Sequence, residues 1–205
     1  MPPRRAEYSA KFDSTPVSVV SGQQSLLNVD AIGGLILGNS NKATFSASLF
    51  DVAPTTTSWN AMTIEQPASP TKVIQIKRVI IWNPGKFTTA QTTVFSLIRT
   101  STASSVGDAA LAPLARDSAD TVTATGRTGP TTTVTLGSTG VTAAQFGVYS
   151  PTAVAAASPV IIDLTNDGLT KGIVIPKTAL AGVDVRIVGA TGGTTVSFTV
   201  VWTEE

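Results

Sequence analysis

Apolar side chains in this chain recur mainly at every second position, the period of a strand with one face on a core. The closing segment Thr194 to Thr203 is the clearest case: Val196, Phe198, Val200 and Trp202 fall on one face, Thr195, Ser197, Thr199 and Thr203 on the other. Thr44 to Phe50 repeats the pattern, with Phe45, Ala47 and Leu49 set against Thr44, Ser46, Ser48 and Phe50. The densest block of β-branched and aromatic residues is Val73, Ile74, Ile76, Val79, Ile80, Ile81 and Trp82, and the alternating stretch Thr93 to Thr100 follows it. Between the two, Pro84 fixes its own backbone and Gly85 accepts a positive φ, so Asn83-Pro84-Gly85 has the chemistry of a reversal. Lys72 to Thr102 therefore reads as a central hairpin.

Further strands are predicted at Leu26 to Val29, Leu35 to Leu37, Ser58 to Ile64, Thr131 to Leu136, Val154 to Leu164, Gly172 to Pro176 and Val183 to Val188. Turn residues separate them, among them Gly33-Gly34, Gly38-Asn39-Ser40-Asn41, Asn166-Asp167-Gly168 and Gly189 to Gly193. Two short helical pieces are expected. One is a single turn at Asp108 to Ala112, stopped by Pro113; the other opens with the capping-box spacing of Thr142-Ala143-Ala144-Gln145 and ends near Gly147. Ser101 to Pro130 has no strand period and reads as a long surface loop, the kind of segment that carries binding on β scaffolds. Met1 to Gly22 reads as an extended arm, kept open by Pro2, Pro3 and Pro16 and made basic by Arg4, Arg5 and Lys11 against Glu7. Short strands at this spacing with almost no helix predict an all-β fold, an antiparallel β-sandwich of jelly-roll type. The expected organisation is the extended N-terminal arm, residues 1–22, then one sandwich domain, residues 23–205, carrying the loop at 101–130.

Composition sharpens this picture. Of 205 residues 42% are hydrophobic, enough for one sizeable core, but only 13% are charged, about half of the ~25% usual in soluble domains. A surface so poor in charge suits faces that are covered by copies of the same chain or by a partner. The net charge of +1 gives no field to hold nucleic acid or an anionic membrane, so neither is expected as a partner. With no Cys and no His, the chain lacks thiolate and Ser-His-Asp catalysis, the usual zinc ligands and the commonest general base. The lack of Cys fits folding in a reducing cytoplasm. No apolar run approaches the ~18 residues of a membrane span, and the basic N-terminus has no apolar segment behind it, so no signal peptide is expected.

Candidate chemistry is sparse. No nucleophile elbow, phosphate loop or dinucleotide fingerprint occurs. Asp117 with Asp120, and Asp163 with Asp167, are carboxylate pairs of the kind a glycosidase needs, but both lie in loops or at strand ends, where Asp usually accepts backbone hydrogen bonds. Asp163, Asn166 and Asp167 offer oxygen ligands for calcium without the EF-hand pattern. Trp82 and Trp202 sit in apolar strands and are expected in the core, whereas Trp59, between Ser58 and Asn60, is expected to be exposed. Trp59 with Arg116, Asp117 and Asp120 forms the candidate ligand-binding set; no catalytic residue, metal or cofactor is assigned.

Three stretches carry a likeness: the polar opening Met1 to Phe12, the run Ile98-Arg99-Thr100-Ser101-Thr102 leading to Leu114-Ala115-Arg116-Asp117-Ser118-Ala119-Asp120, and the close from Gly172-Ile173-Val174-Ile175-Pro176 to Trp202. With them the chain resembles virion structural proteins of tailed bacteriophages, in particular capsid decoration (cement) proteins and related head or tail surface β modules. The resemblance implies a non-enzymatic protein of the virion, made in the host cytoplasm and seated on the capsid surface. Its partners would be the major capsid protein and itself, a homotrimer being favoured, with Arg4, Arg5, Tyr8, Lys11 and Phe12 of the arm making the capsid and subunit contacts. The alternative is a host-recognition module that binds a glycan through Trp59 and the 101–130 loop.

Overall fold

Side chains that alternate between apolar and polar need a pleated backbone to separate them, and every long element among the described residues is a strand. The computed structural model describes residues 17–18, 24–25, 42–53, 57–82, 91–129, 132–150, 159–165, 171–189 and 195–205. The chain divides into two compact units, Met1–Lys42 and Ala43–Glu205. In the first, β1 (Val17–Ser18) pairs antiparallel with β2 (Gln24–Ser25). The strands predicted at Leu26 to Val29 and Leu35 to Leu37 lie outside the described residues.

The second unit runs through β3 (Ala43–Val52), β4 (Ser58–Glu65), β5 (Ile74–Trp82), β6 (Gln91–Thr100), β7 (Ala109–Ala110), β8 (Leu114–Ala115), β9 (Arg127–Thr128), β10 (Thr139–Ser150), β11 (Val160–Asp163), β12 (Ile173–Ile175), β13 (Gly182–Val188) and β14 (Val196–Glu204). They form two six-stranded antiparallel sheets. One has the order β11-β5-β14-β3-β8, with β12 also on β5; the other has the order β10-β6-β13-β4-β9-β7. The long strands pair as nested partners: β3 with β14, β4 with β13, β5 with β11, β6 with β10. There is no helix among the described residues.

Three expectations are corrected. β5 and β6 do not form a hairpin, because β5 pairs with β14, β11 and β12 in one sheet while β6 pairs with β10 and β13 in the other. The connection therefore crosses between sheets. The short helix predicted at Thr142 is instead the middle of β10, whose backbone is claimed by β6 from Thr139↔Thr100 to Ser150↔Gln91. Ala and Gln are good helix formers, but local propensity is small beside the ladder that a waiting partner strand offers, and the strand wins. Likewise Ala109–Ala110 is a short strand on β9 and not a helical turn.

The buried faces of the two sheets share one hydrophobic core. Phe45, Ala47, Ile74, Ile76, Val79, Ile81, Phe198, Val200 and Trp202 come from one sheet, and Trp59, Met62, Ile64, Phe95, Leu97, Val183, Val185 and Ile187 from the other. Phe95 meets Phe198 edge-on with ring centroids 6.1 Å apart, a contact that joins the sheets at their centre. Two antiparallel sheets around one core are an arrangement compatible with a β-sandwich.

Ser101 to Pro130 is less of a free loop than its sequence implies. Glu204 on β14 is buried and accepts hydrogen bonds at both oxygens, from Thr123 N (2.8 Å) and Oγ1 (2.6 Å) at one and from Ala124 N (3.0 Å) and Trp202 Nε1 (3.2 Å) at the other. Glu65 on β4 exchanges backbone hydrogen bonds with Thr125 and accepts Ser104 N at Oε1. Gly126, at φ +141°, lies so close to β4 that a Cβ there would run into the Thr63 carbonyl. Glu204→Ala should cost roughly 3 kcal/mol in urea denaturation, because it strands buried donors. In the same variant hydrogen exchange should speed up at the amides of Thr123 and Ala124 while the amides of β13 keep their protection.

Candidate functional site

The residues singled out from sequence do not converge. Arg4, Arg5, Tyr8, Lys11 and Phe12 lie outside the described residues, as do Asn166 and Asp167. Trp59 is 0% exposed and donates its indole N–H to Gly129 O at 2.7 Å, so its ring has no face to offer a ligand, contrary to the expectation of exposure. Its polar neighbours Ser58 and Asn60 are the alternation of a strand and point away from it. Arg116 and Asp117 are exposed, and they sit in a tight turn after β8 in which Asp117 Oδ1 accepts Ala119 N and Asp117 O accepts Asp120 N, each at 3.0 Å. Asp117 is thus holding the turn together. Asp163 accepts the Thr165 hydroxyl (2.6 Å) and amide (2.8 Å) and lies 3.3 Å from Arg78, contacts that hold its carboxyl below the ordinary range, the Thr165 hydroxyl foremost. No cluster of three metal-ligating residues occurs among the described residues.

One buried carboxyl is not paired in this way. Asp184 on β13 lies between the core residues Val183 and Val185 and points to the other face of its sheet, flanked by Thr63 on β4 and Ile98 on β6. It is 0% exposed, and neither of its oxygens has a hydrogen-bond partner; the nearest cation is Arg186, with Nε 3.9 Å from Oδ2. Burial, opposed by Arg186 and reinforced by the neighbouring Glu65, pushes its pKa up to about 8, so the group is neutral at pH 7. Gly182, two residues earlier on the same face, leaves just enough room for this cluster: a Cβ there would sit 2.7 Å from Glu65 Cγ and 2.8 Å from Thr100 Oγ1. A carboxyl with no exposed surface meets no substrate, and Asp184 with Glu65 is not an acid–base pair for catalysis.

Chemistry open to a partner lies instead on the outer face of the β11-β5-β14-β3-β8 sheet. The pairing sets two rows across it, Leu114–Ser46–Val201–Arg78–Asp163 and Ser48–Thr199–Ile80–Ile161, with Trp82 beside Ser197. Phe50, Leu114 and Ile161 are exposed, and Trp82 is 36% exposed. The Trp82 indole reaches across to donate its N–H to Thr199 Oγ1 at 2.8 Å, and the Thr199 hydroxyl meets Ser48 Oγ at 2.8 Å. In these rows the charged residues are Arg78 and Asp163, which are paired with each other. The face offers aromatic and aliphatic area among hydroxyls, with one ion pair in these rows.

The sign of the pH dependence follows from Asp184. Its unfolded carboxyl loses a proton near 3.8, whereas the folded one keeps it to about 8, so the stabilising contribution is full below pH 4 and is lost as pH rises to about 8. The slope over that window should be at most about 1.4 kcal/mol per pH unit. Asp184→Asn should flatten it and make the protein more stable than wild type at pH 9, as measured by urea midpoints at pH 4, 6 and 9. No family model, curated protein or solved structure matches the chain.

Proposed function

We propose that this chain is a non-enzymatic structural protein of a virus, a jelly-roll module that binds the capsid surface and reinforces contacts between shell subunits. The nested pairing supports the jelly-roll reading. With the eight strands β3, β4, β5, β6, β10, β11, β13 and β14 counted one to eight, first pairs with last, second with seventh, third with sixth and fourth with fifth. That is one long hairpin rolled up so that its halves lie in two sheets, an architecture shared by viral capsid and lectin domains. The observation that carries the functional reading is the outer face bearing Phe50, Trp82, Leu114 and Ile161, apolar area left in water on a domain with few charges to keep it apart from others. At roughly 25 cal/mol per Å², covering such a face with a shell subunit supplies the binding energy that a shell under internal pressure needs. The N-terminal arm, with Arg4, Arg5, Tyr8, Lys11 and Phe12, extends this contact, and self-association belongs to the same reading.

Undecorated capsids mixed with the purified protein and imaged should show it in regular positions. Phe50→Lys with Ile161→Lys should lower occupancy at least tenfold, and deletion of residues 1–15 should weaken binding while leaving the urea midpoint unchanged. No binding by the wild-type protein would refute the reading.

The second reading is glycan recognition, and the exposed edge of the Trp82 ring beside the Ser48 and Thr199 hydroxyls favours it. It moves the stacking aromatic from Trp59 to Trp82. On a glycan array, reproducible sugar binding lost in Trp82→Ala with unchanged stability supports recognition; an array without hits rules it out for the sugars displayed.

A further inference from the structure

The two six-stranded sheets end in four edges, and three of them carry short end strands, of which β8 covers β3 only at Phe45 and Ser46. β7 and β8 have two residues each, and the side closed by β11 and β12 carries strands of four and three residues. Charges guard the same three edges: Asp108 and Arg127 at β7, Arg116 and Asp117 beyond β8, Asp163 with Arg78 at β11. These are the usual devices against unwanted strand addition. The fourth edge is β10, which is neither short nor charged. It is the longest strand, twelve residues, and Thr139–Ser150 contains neither a charged residue nor a proline. Its inner side is fully used by β6, while its outer side has no hydrogen-bonded strand among the described residues. Val141 stands 72% exposed on it.

The strand is irregular at one end only. Register shifts fall between Thr139 and Ala144, after which Ala144 to Ser150 runs unbroken against Leu97 to Gln91. Antiparallel self-pairing overlaps that regular run completely when Gly147, its midpoint, lies on the symmetry axis. The two-fold pairing sets only Gly147 opposite its own copy, and with no charge anywhere in the strand no like charges meet across it. Phe146, stacked on Phe95 with centroids 5.7 Å apart, and the buried Val148 line the core side of this run, so the same pairing sets Phe146 across from Val148 of the second copy and continues the apolar core over the junction.

We propose that β10 is the self-association edge of this protein: it pairs antiparallel with β10 of a second copy about a two-fold axis at Gly147, fusing two six-stranded sheets into one. The two-fold pair stands whether or not the protein binds a capsid, and it replaces the threefold assembly that the resemblance implies.

Sedimentation of the full chain from 1 to 200 µM should show a monomer–dimer equilibrium. Thr142→Lys with Gln145→Lys, both at exposed positions, should weaken it at least tenfold while the urea midpoint stays put. Since the chain has no cysteine, Gly147→Cys provides a register test. Paired residues on the axis approach to a Cα separation of about 4.5–5.5 Å, within disulfide range, so this variant should crosslink under mild oxidation and Val141→Cys should not. A monomer at every concentration, a trimer, or a dimer indifferent to the lysines would each overturn the proposal. So would a Gly147→Cys variant that dimerises as wild type does and fails to crosslink.

Discussion

Burial of β14 between β3 and β5 is the interaction on which the rest of the second unit depends. Val196, Phe198, Val200 and Trp202 fill the centre of the core from this strand, and its backbone supplies the ladders to both neighbours. Without it, β3 and β5 are two separate edges with apolar faces in water, and the Phe95–Phe198 contact that joins the sheets is gone. The opposite side of β14 carries Ser197, Thr199 and Thr203, which are also nearly buried although they face outward. Trp82 explains part of this: it donates its N–H to Thr199 and so covers that hydroxyl, while remaining 36% exposed itself.

The buried carboxylates show the same economy. Glu204 is saturated with donors and fixes the segment at Thr123 and Ala124, while Asp184 has no donors and is neutral. The two differ in what lies opposite. A loop arriving with free backbone N–H groups can satisfy a carboxylate, whereas Asp184 faces strands whose N–H groups are already spent on their ladders. Acidity in this protein therefore serves to position loops and to tie stability to pH.

How much of this the sequence reveals depends on the range of the interaction. β3 and β14 are legible because one face of each is apolar at period two, a property of the strand by itself. The β5–β6 connection is not, since Asn83-Pro84-Gly85 reports that the chain turns and says nothing about which sheet receives it. Trp82 was expected inside because Ile80 and Ile81 precede it. Ordinary alternation puts Val79 and Ile81 inward and Arg78, Ile80 and Trp82 outward, so adjacent isoleucines take opposite faces, and the irregular register at Val201 and Trp202 brings Ile76 to the inner face as well. Glu65, Asp184 and Glu204 gave no signal at all: their burial is decided by segments tens of residues away.

The nested order of pairing has a consequence for the birth of the protein. Ser48 and Thr199, hydrogen-bonded across β3 and β14, are separated by 151 positions, and a ribosome adding about 5–20 residues per second needs on the order of 10 s to bring the second after the first. Throughout that interval the nascent β3 has a sticky face and no mate, and neighbouring ribosomes on the same message hold identical orphans within reach. Abundant expression should therefore depend on chaperones that shield emerging chains, and slow translation should favour aggregation over yield.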